Sequence, residues 1–126
     1  MRNSILNTTK KILGIDPLYR PFDVDIVTHI NSVFSVLTQL GIGPEDGFFI
    51  TGESEIWDEF QIPDNQLNLV KTYIYLKVRM LFDPPGTSYL IEAMNNQIRE
   101  YEWRLSTLRE SALSVLMNET LSEEVV

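Results

Sequence analysis

The sequence predicts an all-α protein, a small domain of four helices with a long loop between the second and third helices and an extended C-terminal tail. Three observations indicate this fold class. Apolar residues recur at spacings of three and four along the three longest segments, which is the period of a helix packed on one face. Glycine or proline follows each of the first three segments. The 126 residues are enough for one domain with a buried core.

The first helix is predicted over residues 4–13. Asn3 or Ser4 can serve as its N-cap, and Gly14 ends it. Lys10 and Lys11 lie near its C-terminus, where positive charge is favourable.

The second helix is predicted from Asp23, as its N-cap, to about Leu40. Gly41 is a natural stop, and Pro44 prevents the helix from resuming. Its apolar positions fall on one stripe, widened by Phe34: Ile26, Ile30, Val33, Leu37 and Leu40.

The connection over residues 42–64 is long for a compact domain, and such loops are often functional. It holds four of the chain's thirteen aromatic residues among seven acids. Residues 48–51 are β-prone and could be one arm of a small hairpin, while residues 54–60 could form a single helical turn. Two interpretations stay open: the aromatic side chains fold back onto the core, or they anchor the loop on a neighbouring copy.

The third helix is predicted from Asp64 or Asn65 to Phe82, where Asp83 and two prolines stop it. Apolar side chains cover more than one side, which is typical of a central helix packed by several others. One stripe is Leu67, Val70, Ile74, Val78 and Leu81, and the other is Leu69, Tyr73, Leu76 and Met80.

The fourth helix is predicted to begin after Thr87 or Ser88 and to carry a heptad seam. The helix could be roughly 40 Å long, more than a small domain needs. Trp103 lies opposite the seam, so it is either covered by another helix of the chain or an exposed contact. The seam is Ile91, Met94, Ile98, Tyr101, Leu105, Leu108, Ala112 and Val115.

Beyond the seam, the last residues mix apolar and acidic side chains and are too few to form a domain. A terminal segment of this kind is expected to be disordered until it binds a partner. We therefore divide the chain into a helical domain over residues 1–113 and a flexible tail over residues 114–126.

The net charge of −8 is unevenly distributed. Nine acids and no lysine or arginine lie between Arg20 and Lys71, so this part of the chain would repel nucleic acid. It is either a solvated acidic surface or a surface that faces DNA without binding it.

No motif for catalysis, metal or cofactor binding is present in the sequence. The chain has no cysteine, and its only histidine, His29, flanks the second helix's stripe without a nucleophile to activate. The acids near residue 55 lack the spacing of a calcium loop, and no phosphate-binding loop occurs. We expect neither an enzyme nor a cofactor, and no segment is long and apolar enough to enter a membrane.

The order of several segments resembles the head–tail connector (adaptor) proteins of long-tailed bacteriophages. The resemblance covers about residues 4–110. It is carried by ILNTTKK at 5–11, FDVDI at 22–26, HIN at 29–31, VKTYIYLKVR at 70–79, LFDPP at 81–85, EA at 92–93, QI at 97–98 and EYEWRL at 100–105.

The resemblance implies a virion protein of the phage neck, assembled in the host cytoplasm as a ring, typically dodecameric, beneath the portal protein. Such a ring extends the DNA channel, without specific DNA binding, and provides a platform for a stopper or tail-completion protein. Together with the acidic charge of the loop and the position of Trp103 opposite the seam, the resemblance predicts three sets of residues. Contacts between subunits would be made by Phe48, Phe49, Ile50, Trp57, Phe60 and Trp103; portal contacts by Leu113, Leu116, Met117, Leu121 and Val125; and the acidic channel wall by Glu45, Asp46, Glu53, Glu55, Asp58 and Glu59.

A second interpretation belongs to a different functional class. The chain could be a small helical regulator that binds a phage or host protein through the seam of its fourth helix. Such a regulator would form a stoichiometric complex with that protein and would not bind portal.

Overall fold

The structure is a computed structural model that describes the backbone of residues 3–125 and the side chains of residues 3–110, 117 and 118. It contains α1 (Ile5–Ile12), α2 (Asp23–Gln39), a short 3-10 helix (Trp57–Phe60), α3 (Asp64–Phe82) and α4 (Ser88–Val125). Within residues 3–125 there is no β-strand, only an isolated antiparallel bridge between Ser4 and Ile56. The all-α prediction is therefore confirmed.

The starts of the first two helices differ in how they are capped. The Ser4 hydroxyl accepts the Asn7 backbone N–H at 3.2 Å, so Ser4 is the N-cap of α1, as predicted. Asp23 does not cap α2; it is the first residue of the helix, and the cap position is Phe22, which makes no side-chain cap bond. The Asp23 carboxylate binds the Lys10 ammonium instead, at 2.7 Å.

α3 is the centre of the bundle, as its two apolar stripes predict. It contacts α1, α2 and α4. Five of its side chains are buried: Val70, Tyr73, Ile74, Leu76 and Val78. Leu81, assigned to the first apolar stripe of α3 from its spacing, is instead 52% exposed.

The seam of α4 packs on the core from Met94 to Leu108. Ile98 and Leu105 are buried, and Met94, Tyr101 and Leu108 pack against the same cluster. The side chains of Ala112 and Val115 lie outside the described residues. The Thr87 hydroxyl accepts the Leu90 N–H at 3.3 Å and caps the start of α4.

One predicted detail of the loop differs from the structure. Residues 48–51 are not an arm of a hairpin, because Ile50 pairs with a side chain of α2 and not with a second strand. The backbone of α4 continues as a helix to Val125. The division into a helical domain over residues 1–113 and a flexible tail over residues 114–126 stays a prediction.

Candidate interaction surfaces

The long loop is held against α2 by one side chain. Asn31 accepts the Ile50 backbone N–H through Oδ1 at 2.7 Å and donates through Nδ2 to the Ile50 carbonyl at 2.9 Å. An asparagine amide presents one acceptor and two donors, so it can satisfy both backbone groups of a residue at once. Asn31 thus replaces the partner strand that this extended segment lacks.

A second set of bonds holds the loop against α1. The Ile5 N–H donates to the Glu55 carbonyl at 3.0 Å, and the Trp57 N–H donates to the Asn3 carbonyl at 3.1 Å. The Trp57 indole Nε1 donates to the Thr8 hydroxyl at 2.9 Å. The loop is therefore a fixed part of the domain.

This anchoring packs most of the loop's predicted contact residues onto the chain's own core. Ile50, Trp57 and Phe60 are only 1%, 4% and 1% exposed and belong to the core. Phe48 is half-buried, with its ring 5.0 Å from Phe34 and 5.4 Å from Phe60. The first interpretation therefore describes the three aromatic side chains, which fold back onto the chain's own core together with Ile50. In this conformation Ile50 and Phe60 are not exposed to a neighbouring copy.

Phe49 and Trp103 are the two predicted contact residues that remain at the surface. They are 67% and 68% exposed. Phe49 points outward because side chains alternate along an extended segment, and Phe48 and Ile50 both face inward. Trp103 faces away from the seam of α4, as its position in the heptad predicts.

The predicted channel-wall acids fall into two groups. Glu45, Asp46, Asp58 and Glu59 are exposed. Glu53 and Glu55 form the second group and are hydrogen-bonded within their own chain. Only the first group therefore offers free carboxylates to the surroundings.

Glu53 and Glu55 bind groups of their own chain. Hydrogen bonding from Arg20, 3.2 Å from the Glu53 carboxylate, lowers the pKa of Glu53, with Asn7 adding to the effect. The Glu55 carboxylate accepts the N–H and hydroxyl of Thr51 at 3.0 and 2.7 Å. Burial raises the pKa of Glu55, but these hydrogen bonds, together with one from Gly52, lower it by more.

A buried lysine fixes the linker between α1 and α2, which sequence analysis did not find. The Lys10 ammonium donates to the carbonyls of Pro17 and Tyr19 at 2.9 and 2.7 Å and to the Asp23 carboxylate at 2.7 Å. Its side chain has 0% exposure. Three acceptors satisfy the three donors of the ammonium, so the linker has a defined path.

That path leaves an apolar patch at the surface. The Tyr19 ring lies 5.6 Å from Phe22, which in turn lies 5.2 Å from Phe82 at the end of α3. Tyr19 and Phe22 are 50% and 39% exposed, and the neighbouring Leu18 is 82% exposed. The sequence indicates this patch, since these residues are apolar although they lie in a linker that contains two prolines.

The outer side of α4 carries a row of separated apolar side chains. Tyr89, Trp103 and Met117 are 78%, 68% and 65% exposed and lie 14 residues apart. That spacing places them on the same side of the helix, roughly 21 Å from one to the next. Because the three side chains are separated along the helix, they do not form one continuous apolar patch.

A family model described as phage connector protein matches residues 5–112. The chain belongs to this phage connector family. No curated protein shows a significant match to the chain, and no solved structure does either. The family confirms the resemblance seen in the sequence, and it makes this chain a head–tail connector, a component of the virion that interacts with other head or tail proteins.

The predicted portal contacts of this connector lie mostly where side chains are not described. Leu113, Leu116, Leu121 and Val125 are all outside the described side chains, and Met117 is exposed. Their portal role stays a prediction.

The described part of the connector holds no group of three or more His, Asp or Glu side chains placed to bind a metal ion. His29 is half-buried beside the Phe82 ring, at 6.4 Å, and has the environment of a packing residue. Among residues 3–125, none of the helices combines the length and apolar character needed to cross a membrane.

Proposed function

We propose that this connector is an adaptor subunit that assembles as a ring, typically of twelve copies, beneath the phage portal. The ring would extend the DNA channel and provide the platform for a stopper or tail-completion protein. The membership of residues 5–112 in the connector family is the observation that carries this proposal. Its role is structural, and no chemical step is assigned to any residue.

The distribution of exposed apolar side chains supports ring assembly. A closed ring of more than two copies uses heterologous contacts, in which one surface of each copy meets a different surface of the next. This chain presents distinct exposed groups at the α1–α2 linker, on the outer side of α4 and at Phe49. The linker group, in which the rings of Tyr19, Phe22 and Phe82 lie side by side, is a continuous patch of the kind typical of protein-binding surfaces.

The portal contact is assigned to the C-terminal part of α4, through Leu113, Leu116, Met117, Leu121 and Val125. Support comes from the length of the helix. Leu108 is the last described seam residue packed on the core, and the helical backbone continues to Val125. At 1.5 Å per residue, that continuation is about 25 Å long.

The channel wall is assigned to exposed acids of the loop, with Asp58 and Glu59 as the main candidates. Both are exposed on the short 3-10 helix. Carboxylates repel the phosphates of DNA, so such a wall lets DNA pass without retaining it.

The regulator interpretation has less support. It requires the seam of α4 to be free for a partner, yet the seam from Met94 to Leu108 packs on the core of the same chain. A partner could reach it only by displacing α4 from α3.

The proposal is tested by deleting residues 114–126 and measuring cosedimentation with purified portal protein. We expect the intact chain to sediment with portal and the truncated chain to remain in the supernatant. The urea transition of the domain should be nearly unchanged, because every described core residue precedes residue 114. Undiminished sedimentation of the truncated chain would remove the portal assignment of this segment.

A further inference from the structure

A pocket of about 260 Å³ opens between α1, the 3-10 helix and α3. Apolar parts of its lining come from Ile12, Trp57 and Tyr75, and two lysines, Lys11 and Lys71, also line it. An apolar cavity of roughly 150 Å³ is enough to hold a benzene molecule, so this pocket has room for a phenyl ring.

The two lysines give the pocket a positive charge on an otherwise acidic protein. The chain carries only ten lysines and arginines against eighteen acids. Among the described side chains, neither Lys11 nor Lys71 has a carboxylate within the 4.0 Å of an ion pair. The Lys71 ammonium lies over the Trp57 ring, 5.4 Å from its centre, so positive charge and an aromatic wall meet at one place.

A complementary feature exists elsewhere on the same chain. Residues 44–47 form a tight turn in which the Gly47 N–H donates to the Pro44 carbonyl at 3.0 Å, with Glu45 and Asp46 at its tip. Gly47 has φ of 93°, a conformation that glycine adopts readily. Phe49 lies two residues after Gly47 and is 67% exposed. The turn thus presents two carboxylates and one phenyl ring together.

We propose that the pocket receives Phe49 of a second copy, with Glu45 and Asp46 of that copy facing Lys11 and Lys71. This inference rests on the proposed ring and names the contact that closes it. It reassigns Glu45 and Asp46 from the channel wall to the boundary between subunits.

The geometry suits a heterologous contact. The turn and Phe49 lie beside α2, where Asn31 binds Ile50, whereas the pocket is bounded by α1 and α3. The two surfaces are different, so each copy can offer its turn to one neighbour and its pocket to the other. Both are fixed before assembly, by the Asn31 bonds on one side and by the Trp57–Thr8 bond on the other, which limits the entropy lost on binding.

Cross-linking tests the contact directly, because the chain has no cysteine of its own. A variant with Asp46→Cys and Lys71→Cys is assembled on portal and treated with a short bismaleimide. We expect a ladder of covalent oligomers beyond the dimer, as a repeating heterologous contact requires. Each single-cysteine variant, and a control pair of Gln97→Cys with Lys71→Cys, should give no ladder. Gln97 is exposed on α4, which contributes no residue to the pocket or to the turn.

Charge reversal supplies the second measurement. Lys71→Glu alone and Asp46→Lys alone should each weaken ring assembly by roughly tenfold. The double variant restores the opposite charges and should recover most of the lost assembly. If rings form on portal but the cross-link is absent and the double variant does not recover, this inference fails while the proposed function stands. If Lys71→Glu prevents portal association without any cross-link between copies, the pocket binds a portal segment and the inference is overturned. Failure of the unmodified chain to form rings on portal would overturn both.

Discussion

Replacing Lys10 with methionine tests how far one buried ammonium determines the path of the α1–α2 linker. Methionine keeps most of the length and apolar volume of the lysine side chain. It removes three hydrogen bonds, to the Pro17 carbonyl, the Tyr19 carbonyl and the Asp23 carboxylate. The substitution therefore isolates the charge from the packing of the lysine stem.

The expected loss of unfolding free energy depends on how far water can reach the groups that Lys10 binds. Breaking a buried ion pair by removing one partner costs about 3–5 kcal/mol. The Asp23 side chain is 20% exposed and has the Arg20 guanidinium at 3.9 Å, so water and Arg20 can partly compensate its charge. We expect a loss at the lower end, about 3 kcal/mol of unfolding free energy.

Urea unfolding followed by circular dichroism measures this loss. With a slope of about 1–3 kcal/mol per molar urea, the midpoint should fall by between about 1 and 3 M. Lys11→Met is the matched control, since Lys11 is exposed, and it should change stability by less than about 0.5 kcal/mol. A loss below about 1 kcal/mol for Lys10→Met would refute the reasoning.

Three further predictions concern the loop and the core. Asn31→Ala should destabilise the domain by about 2 kcal/mol, because it leaves the backbone N–H and carbonyl of Ile50 unpaired. Ser35→Ala, on the exposed side of α2, is the control and should have little effect in the same urea assay. Tyr73→Phe should lower the free energy of unfolding by about 1 kcal/mol. Burial raises the pKa of the Tyr73 phenol, so this group ionises in the unfolded chain before it ionises in the native protein. The native protein should therefore lose the stability that Tyr73 contributes as pH rises above about 10, whereas the variant should not. Arg20→Gln should return the lowered pKa of Glu53 toward its usual value in an NMR titration, and an unchanged pKa would show that Arg20 is not the cause. Because that pKa is lowered, any stability from the Arg20–Glu53 pair is lost as pH falls below about 4.

The helices could be predicted from the sequence because their patterns are local. The heptad spacing of α4 places Ile98 and Leu105 in the core, and both are buried. The two stripes of α3 likewise predict a central helix. In each case the period of the apolar residues alone decides which side is covered.

The loop could not be predicted in the same way. Phe48, Phe49 and Ile50 are all apolar, and the sequence does not show which of them faces inward. The answer depends on Asn31, 19 residues earlier, whose amide fixes the backbone of Ile50. Long-range hydrogen bonds of this kind leave no periodic signal in the sequence.

Lys10 shows a similar limit for charged residues. At the C-terminal end of a short helix, a lysine is expected to be exposed and to interact with the helix dipole. It is buried because the linker folds over it and supplies two carbonyl groups. The linker residues that bury Lys10 show no periodic pattern in the sequence, so its burial could not be predicted from them.

The central claim, that this connector forms a ring on the portal, is tested most directly by electron microscopy of the purified chain mixed with portal protein. The account predicts a ring of copies capping one end of the portal and continuing its channel. Portal particles that remain bare under assembly conditions, with the chain bound nowhere on them, would contradict it.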